Sequence, residues 1–298
     1  MTSLRLIAFI IAALALWAAP VAAQDLPPGP TPVRPLARMS IEGGTGRFEE
    51  VQTLILDFPS GTWTPLHSHG GLTLVRVLEG EMTRRIGSAE DVFRSGEGWV
   101  ETPGDVHAAG NAGAALARVQ VTFLLSQGAP LTTVAGTPSA GAPPGPVTSY
   151  QSARVAVATT TRFDEAATTV LGFAPGAWTP LHSHGGLTLV AVTEGQMTVR
   201  SAGRETIYRA GDLWIEQPGD IHAAGNATST NALVAVTFLL RQGDPVTTVA
   251  ADQTPAQLPR ALPRTGETGG SPAPALASIA AAALLGAGLY LRRRTSPV

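Results

Sequence analysis

The thirteen residues WTPLHSHGGLTLV occur twice in this chain, at Trp63–Val75 and again at Trp178–Val190. The two stretches lie 178 − 63 = 115 residues apart, and the same offset relates Val121–Leu125 to Val236–Leu240 without an insertion. Similarity at a fixed spacing is typical of a tandem duplication. The sequence therefore predicts two repeated units of similar structure.

Each copy is built from short aliphatic and β-branched runs, such as Val51–Phe58, Leu72–Leu78 and Val119–Leu125. Gly, Pro or Asp residues separate these runs, and no helical period of 3.6 residues persists in either copy. Runs of this length between turn residues are typical of strands. The predicted fold class is all-β, with a barrel or sandwich for each copy.

All six histidines of the chain lie in the two copies, at positions related by the same offset. Alternate side chains of a strand share a face, so the two imidazoles of a His-x-His sequence can hold one ion, and a third can join them from a neighbouring strand. A buried structural histidine, the usual alternative, predicts no such matched sets. The predicted metal ligands are His67, His69 and His107 in the first copy and His182, His184 and His222 in the second.

Composition excludes several classes of protein. The 298 residues contain no Cys, which excludes thiolate metal sites and cysteine nucleophiles. A formal net charge of −2 offers no basic surface for nucleic acid, so we expect no nucleic-acid partner. Any metal site must then be built on imidazole, and the sequence leaves Fe, Mn, Zn, Cu and Ni open as the divalent ion.

Further residues of the first copy accompany its histidines: Gly61, His67, His69 and Gly80 in one stretch and Gly96, Pro103, Gly104, His107 and Asn111 in another. Their spacing resembles the two sequence motifs of the cupin superfamily. The resemblance implies two tandem jelly-roll β-barrels, a bicupin, with one divalent metal ion in each. It covers both copies and is specific for the fold, but not for a reaction.

One departure from the family's motif concerns the ligand set. The motif has a Glu where this chain has Thr73 and Thr188. A neutral hydroxyl is a poor ligand for a divalent ion, so we expect both threonines to hydrogen bond a bound water or substrate. The centre would then consist of three neutral imidazoles, and its charge of +2 would favour anionic or chelating ligands.

Other acidic residues are candidates for acid–base chemistry. They are Glu101 and Glu216, or Asp105 and Asp220, although Pro-Gly-Asp is first of all a turn sequence.

Some paired positions differ between the copies. The differing pairs are Arg76 and Ala191, Glu81 and Gln196, and Gln120 and Ala235. Because the histidines match while these neighbours do not, we predict two metal sites with pockets of different polarity, which leaves open that only one is catalytic.

The two ends of the chain have the composition of targeting signals. Residues 1–23 combine Arg5, an apolar run and a small-residue cleavage site, which predicts a signal peptide rather than a retained membrane anchor. Near the other end, Leu262, Pro263, Arg264, Thr265 and Gly266 precede an apolar segment and three arginines. This order resembles the LPxTG cell-wall sorting signal of Gram-positive-type bacteria, which implies cleavage by a sortase between Thr265 and Gly266. An uncleaved transmembrane anchor is the alternative.

We thus expect a secreted protein on the cell wall or cell surface, with a sortase, the cell envelope and a small molecule as partners and self-association left open. Three hypotheses describe its function: a metal-dependent oxygenase acting on a small organic molecule, a non-catalytic module that binds a metal or small ligand, or a structural β-domain.

The predicted segments are a signal peptide (1–23), a Pro-rich linker (24–38), the first cupin domain (39–135), a linker (136–153), the second cupin domain (154–250), a linker ending in the sorting motif (251–265), and a tail (266–298) with an apolar anchor helix (275–291).

Overall fold

The computed structural model describes residues 28–42, 47–136, 144–158, 160 and 162–250. The predicted signal peptide, sorting motif and anchor helix lie outside these ranges. Within the ranges the regular elements are all strands, which confirms the predicted all-β class. Accordingly, this part of the chain has no helix of a length and hydrophobicity that would span a membrane.

Ten strands precede or belong to the first copy. They are β1 (Thr31–Ser40), β2 (Glu50–Phe58), β3 (His67–Ser68), β4 (Gly71–Glu79), β5 (Glu81–Ile86), β6 (Ala89–Arg94), β7 (Gly98–Glu101), β8 (Ala108–Gly110), β9 (Ala117–Leu125) and β10 (Thr133–Val134).

Eleven strands precede or belong to the second copy. They are β11 (Val147–Gln151), β12 (Val155–Ala156), β13 (Glu165–Phe173), β14 (His182–Ser183), β15 (Leu187–Glu194), β16 (Gln196–Ser201), β17 (Arg204–Arg209), β18 (Leu213–Glu216), β19 (His222–Gly225), β20 (Ala232–Leu240) and β21 (Thr248–Val249).

Each copy packs a large sheet against smaller sheet pieces. In the first copy the large sheet has the order β11-β2-β9-β4-β7, and the pieces opposite are β6-β5-β8 and β10-β3. The second copy pairs a β1-β13-β20-β15-β18 sheet with a β17-β16-β19-β14-β21 sheet. Because side chains alternate along a strand, Val75 and Val77 of β4 lie in the barrel core, whereas Leu74 lies on the opposite face.

The N-terminal strands are exchanged between the copies. Strand β1 precedes the first copy but pairs antiparallel with β13 of the second, while β11 precedes the second copy and pairs with β2 of the first. The Pro content predicts linkers here, and this prediction is wrong for residues 31–38 and 147–151. Both segments are edge strands, and Pro32 and Pro35 of β1 are tolerated there because no neighbouring strand needs their missing N–H.

A separate hydrophobic core lies between the large sheets of the two copies. It includes Leu74 and Leu124 from the first copy and Leu187, Leu189 and Leu239 from the second, each at most 2% exposed. The outward faces of the two barrels are therefore buried against each other, and the two copies form one body.

Arg76 and Gln120 lie in this layer between the copies. The Arg76 side chain is 2% exposed and donates from Nη1 to the Thr168 carbonyl oxygen at 2.6 Å and from Nη2 to the Pro35 carbonyl oxygen. Gln120 Nε2 donates to Thr237 Oγ1 at 3.1 Å. Two of the three differing positions therefore belong to the contact between the copies rather than to the barrel interiors.

Candidate metal centre

The six histidines lie together as two buried sets of three. His67 lies on β3, His69 in the turn after it, and His107 directly before β8. His67 and His107 face each other, and the backbone N–H of each donates to the carbonyl oxygen of the other at 2.9 Å. In each set the candidate ligand atoms lie within 4.8 Å of one another. The structure thus brings together the six residues that the sequence predicts as metal ligands.

Two glycines after the His-x-His sequence allow the chain to pass close to its neighbours. A Cβ atom at Gly71 would lie 2.0 Å from the Leu124 carbonyl oxygen, and one at Gly70 would lie 2.6 Å from the Pro130 carbonyl oxygen. Backbone oxygens cannot move aside as a side chain can, so both positions require glycine. This close packing holds His69 beside β9, where its ring lies edge-on to Phe123 with centroids 5.2 Å apart.

Each imidazole is held by its Nδ1 atom, which lies within hydrogen-bond distance of a backbone carbonyl oxygen. With an N–H on Nδ1, a neutral imidazole has its lone pair on Nε2, so the three Nε2 atoms of each set are available to one ion. The carbonyl partners in the first copy are Pro65 for His67 (2.8 Å), Leu131 for His69 (2.6 Å) and Asp105 for His107 (3.0 Å). In the second copy they are Pro180 for His182 (2.9 Å), Val246 for His184 (2.6 Å) and Asp220 for His222 (3.0 Å).

A glutamate joins each set of histidines. Glu101 ends β7 and is 4% exposed, with Oε2 3.0 Å from His69 Nε2 and Oε1 2.9 Å from His107 Nε2. Glu216 of the second copy lies 3.1 Å from His184 Nε2 and 2.9 Å from His222 Nε2. The sequence predicts these residues only as a candidate acid or base and does not predict their contact with the imidazoles.

The signal for this contact lies in the pairing of the strands. Thr73 on β4 faces Glu101 on β7 across the antiparallel ladder, and Thr188 faces Glu216 in the same way. Side chains of directly opposed residues lie on the same face of a sheet. Once β4 and β7 are paired in this register, a carboxylate opposite Thr73 must lie beside the histidines.

Burial and charge together set the protonation of the first centre. Burial, with added repulsion from His107 and His69, lowers the pKa of His67 to about 4. Burial would lower the pKa of His107 too, but the Glu101 carboxylate outweighs it and raises that pKa. Burial would raise the pKa of Glu101, yet His107 and His69 bring it down to about 2. The centre therefore holds an ionised carboxylate at neutral pH.

The second centre has the same electrostatics. Burial and the neighbouring His222 lower the pKa of His182 to about 4. The pKa of Glu216 is held well below its usual range, because His184 and His222 outweigh the effect of burial.

Thr73 and Thr188 are fully buried on the strands where the family's motif has its glutamate. Each hydroxyl donates to the carbonyl oxygen two residues earlier, that of Gly71 at 3.3 Å and that of Gly186 at 3.4 Å. The predicted hydrogen bonds to a bound water or substrate stay a prediction.

Asp105 and Asp220 lie at the surface, in turns. Asp105 is exposed, its carboxylate accepts a hydrogen bond from the Thr102 hydroxyl, and its backbone N–H donates to the Thr102 carbonyl oxygen at 3.2 Å. Gly104 in the same turn has a φ of +85°. These aspartates therefore shape the turn before His107 and its counterpart, and their carboxylates do not reach the centres.

A cavity of about 240 Å³ borders the second centre. His182, His184 and Glu216 line it, and its other walls are mainly apolar, among them Phe173, Val190, Met197, Trp214 and Phe238. Every lining residue that belongs to the second copy has an identical residue 115 positions earlier. The prediction of pockets with different polarity is therefore wrong, because Arg76 and Gln120 lie between the copies, away from the equivalents of these walls.

Comparison with known protein families agrees with the repeat. The cupin domain model matches twice, at residues 54–123 and 169–238. Among curated proteins, no sequence matches at a significant level. Similar solved structures include a tryptophan-to-tyrosine variant of oxalate decarboxylase from Bacillus subtilis, the coconut allergen cocosin, and AerE from Microcystis aeruginosa. They are 15, 9 and 12% identical, with TM-scores of 0.41, 0.45 and 0.40; the alignments cover 72% of this chain and 80, 87 and 98% of theirs.

The chain therefore contains two cupin domains with the jelly-roll fold. The domains follow one another in a single chain, as in a bicupin, and each has three histidines that can hold one metal ion.

Proposed function

We propose that each cupin domain binds one divalent transition-metal ion through the Nε2 atoms of its three histidines. The observation that carries this proposal is the common orientation of the imidazoles. All six Nδ1 atoms are held by backbone carbonyl oxygens, so six Nε2 lone pairs are directed into two buried centres. Protein metal sites commonly orient their histidine ligands in this way.

The atoms at each centre fit a metal ion. Within the described residues, His107 Nε2 and His222 Nε2 are buried and have no hydrogen-bond partner. A buried polar atom without a partner costs free energy, and one metal ion in each centre would satisfy these nitrogens. Imidazole suits the first-row ions Fe, Ni, Cu and Zn, and three imidazoles leave coordination positions free for a substrate.

We propose further that the loaded protein is an oxygenase for a small organic molecule. A bound redox-active ion would mediate the transfer of electrons from the organic substrate, which is oxidised, to dioxygen, which is reduced. The protein's own contribution is the cavity beside His182 and His184, whose apolar walls exclude water and can bury a small molecule. Its small volume favours a substrate of few heavy atoms.

The first test is the metal content of protein purified without a His tag. We expect about two ions per chain, one for each set of histidines, by elemental analysis. Oxygen uptake by the iron-loaded protein with phenolic and oxo-acid substrates then tests the oxygenase. If the protein binds two ions but consumes no oxygen with any substrate or metal tried, it is a metal-binding module and not an oxygenase. If it binds no ion, the proposed function is contradicted.

We also propose that the protein is secreted and joined to the cell envelope at Thr265. The order of the sorting motif, apolar segment and arginines supports this proposal, as does the N-terminal segment 1–23. Thr265→Ala is expected to move the protein from the wall fraction to the membrane fraction or the medium, as seen by fractionation and immunoblotting. Pro259→Ala, outside the motif, is the control, and wall attachment unchanged by Thr265→Ala would refute sorting.

A further inference from the structure

We propose that Glu101 and Glu216 are themselves metal ligands, so that each centre has three imidazoles and one carboxylate. This inference rests on the proposed metal binding. The carboxylate would then come from the strand next to the one on which the cupin motif places it. Thr73 and Thr188 occupy the motif positions, and the two glutamates lie directly opposite them across the ladder.

Glu101 lies on the Nε2 side of the imidazoles, which is the side that faces the proposed ion. A carboxylate that only orients a ligating histidine contacts the ring nitrogen that does not bind the metal. Here that nitrogen, Nδ1, is already held by a backbone carbonyl oxygen in both His69 and His107. Glu101 instead lies 3.0 and 2.9 Å from their Nε2 atoms, which are the ligand atoms. An ion bound by these nitrogens must therefore lie beside the carboxylate.

One oxygen of the Glu101 carboxylate accepts a hydrogen bond from a tryptophan, and the other accepts none from the described residues. Trp99 Nε1 donates to Oε1 at 2.7 Å and fixes the orientation of the carboxylate. Oε2 is buried and has no hydrogen-bond partner in the described part of the chain, although His69 Nε2 is near. A buried carboxylate oxygen without a partner is expensive, whereas a metal ion would satisfy it together with the neighbouring nitrogens.

The second copy repeats the arrangement. Trp214 Nε1 donates to Glu216 Oε1 at 2.8 Å, and His222 Nε2, 2.9 Å from the same oxygen, lacks a hydrogen-bond partner among the described residues. Both copies thus pair a threonine at the motif position with a tryptophan-held glutamate opposite.

This ligand changes the charge of the centre. Three neutral imidazoles would leave a divalent ion with a charge of +2, whereas a carboxylate lowers the charge to +1. The centre is then suited to a neutral or singly charged small molecule rather than to the strongly anionic chelator expected from the histidines alone.

Cobalt(II) titration of the full chain tests the inference, because the visible spectrum of bound cobalt depends on its ligands. The test variant carries Glu101→Gln and Glu216→Gln, in which the amide oxygen can still accept from the tryptophan. We expect this variant to bind its two cobalt ions about 10- to 100-fold more weakly than the unchanged chain does, and the visible spectrum of the bound cobalt to change. The control is Glu81→Gln, which introduces the residue found at Gln196 of the second copy and should change neither affinity nor spectrum.

A second variant moves the carboxylate back to the motif position, with Thr73→Glu and Glu101→Thr in the first copy and the same exchange at Thr188 and Glu216. We expect it to bind two cobalt ions within about tenfold of the unchanged affinity, because the opposed positions share one face of the sheet. If the glutamine variant does not unfold cooperatively, the exchange variant is compared with a chain that carries only Glu101→Thr and Glu216→Thr. A folded threonine chain that binds cobalt as tightly as the unchanged chain would overturn the inference.

The outcomes separate the two proposals. If the unchanged chain binds two cobalt ions and the folded glutamine variant binds them with the same affinity and spectrum, the glutamates are not ligands and the histidine sites stand. If the unchanged chain binds no cobalt or other divalent transition metal, the proposed function itself fails.

Discussion

A chain that carries both His67→Ala and His182→Ala is expected to lose both of its metal ions. Each substitution removes one of three imidazoles, and even the loss of an outer hydrogen-bond partner of a metal ligand typically costs 10- to 100-fold in affinity. We therefore expect affinity at each centre to fall by more than about 100-fold, with metal content near zero after gel filtration. Either single variant should keep about one ion per chain, since the other centre stays intact.

Two controls separate metal loss from unfolding. Ser68→Ala and Ser183→Ala change the residue between the two histidines of each pair, whose side chain lies on the other face of the strand, and should keep both ions. Added metal should raise the unfolding temperature of the unchanged chain but not that of the double histidine variant. A double variant that still binds two ions, or gains stability from added metal, would contradict the assignment of the centres.

Removal of strand β1 is expected to destabilise the second domain, although β1 precedes the first. A chain that begins at Ile41 loses the backbone ladder between β1 and β13, the buried Met39 side chain and the Pro30 wall of the cavity. At about 1 kcal/mol net for each hydrogen bond and about 2 kcal/mol for the methionine, the free energy of unfolding should fall by more than about 4 kcal/mol. For a body of this size we expect an unfolding temperature lower by roughly 10 °C.

The exposed edge of β13 provides a second readout. An unpaired edge strand is a template for association, so the truncated protein should form dimers or larger species in gel filtration with light scattering. A chain that begins at Pro28 keeps every described residue and is the matched control, with the stability and oligomeric state of the longer protein. Equal stability and a monomer after truncation to Ile41 would show that residues 31–40 behave as the linker that their Pro content predicts.

The sequence was sufficient to predict what depends on spacing along the chain. The 115-residue offset, the strand class and the grouping of the six histidines all follow from local patterns, and the structure has the two domains and the two sets of three. The exchanged strands could not be predicted in this way. Proline in β1 resembles a linker unless the strand is known to lie at a sheet edge, where a missing N–H does no harm.

Glu101 was missed for a related reason. It is 28 residues from Thr73 in sequence but directly opposite in the sheet. The sequence motif concerns one strand, whereas the carboxylate comes from the next, and the register that joins β4 to β7 is a property of the folded sheet. The prediction of different pockets is wrong because it treats Arg76 as a neighbour of the histidines. Arg76 alternates with Val75 and Val77, which fill the barrel interior, and therefore lies on the other face of β4.

The exchange of β1 and β11 has a consequence for how the chain can vary. Two separate copies joined in this manner would form a symmetric dimer, in which every substitution appears on both sides of the contact and assembly depends on protein concentration. Joining the copies in one chain makes their association intramolecular. It also allows the two sides of the contact to differ. The first copy has a guanidinium at position 76, whereas the second copy has alanine at the equivalent position 191. A dimer of the first copy would instead bury two cations, one on each side of the same contact.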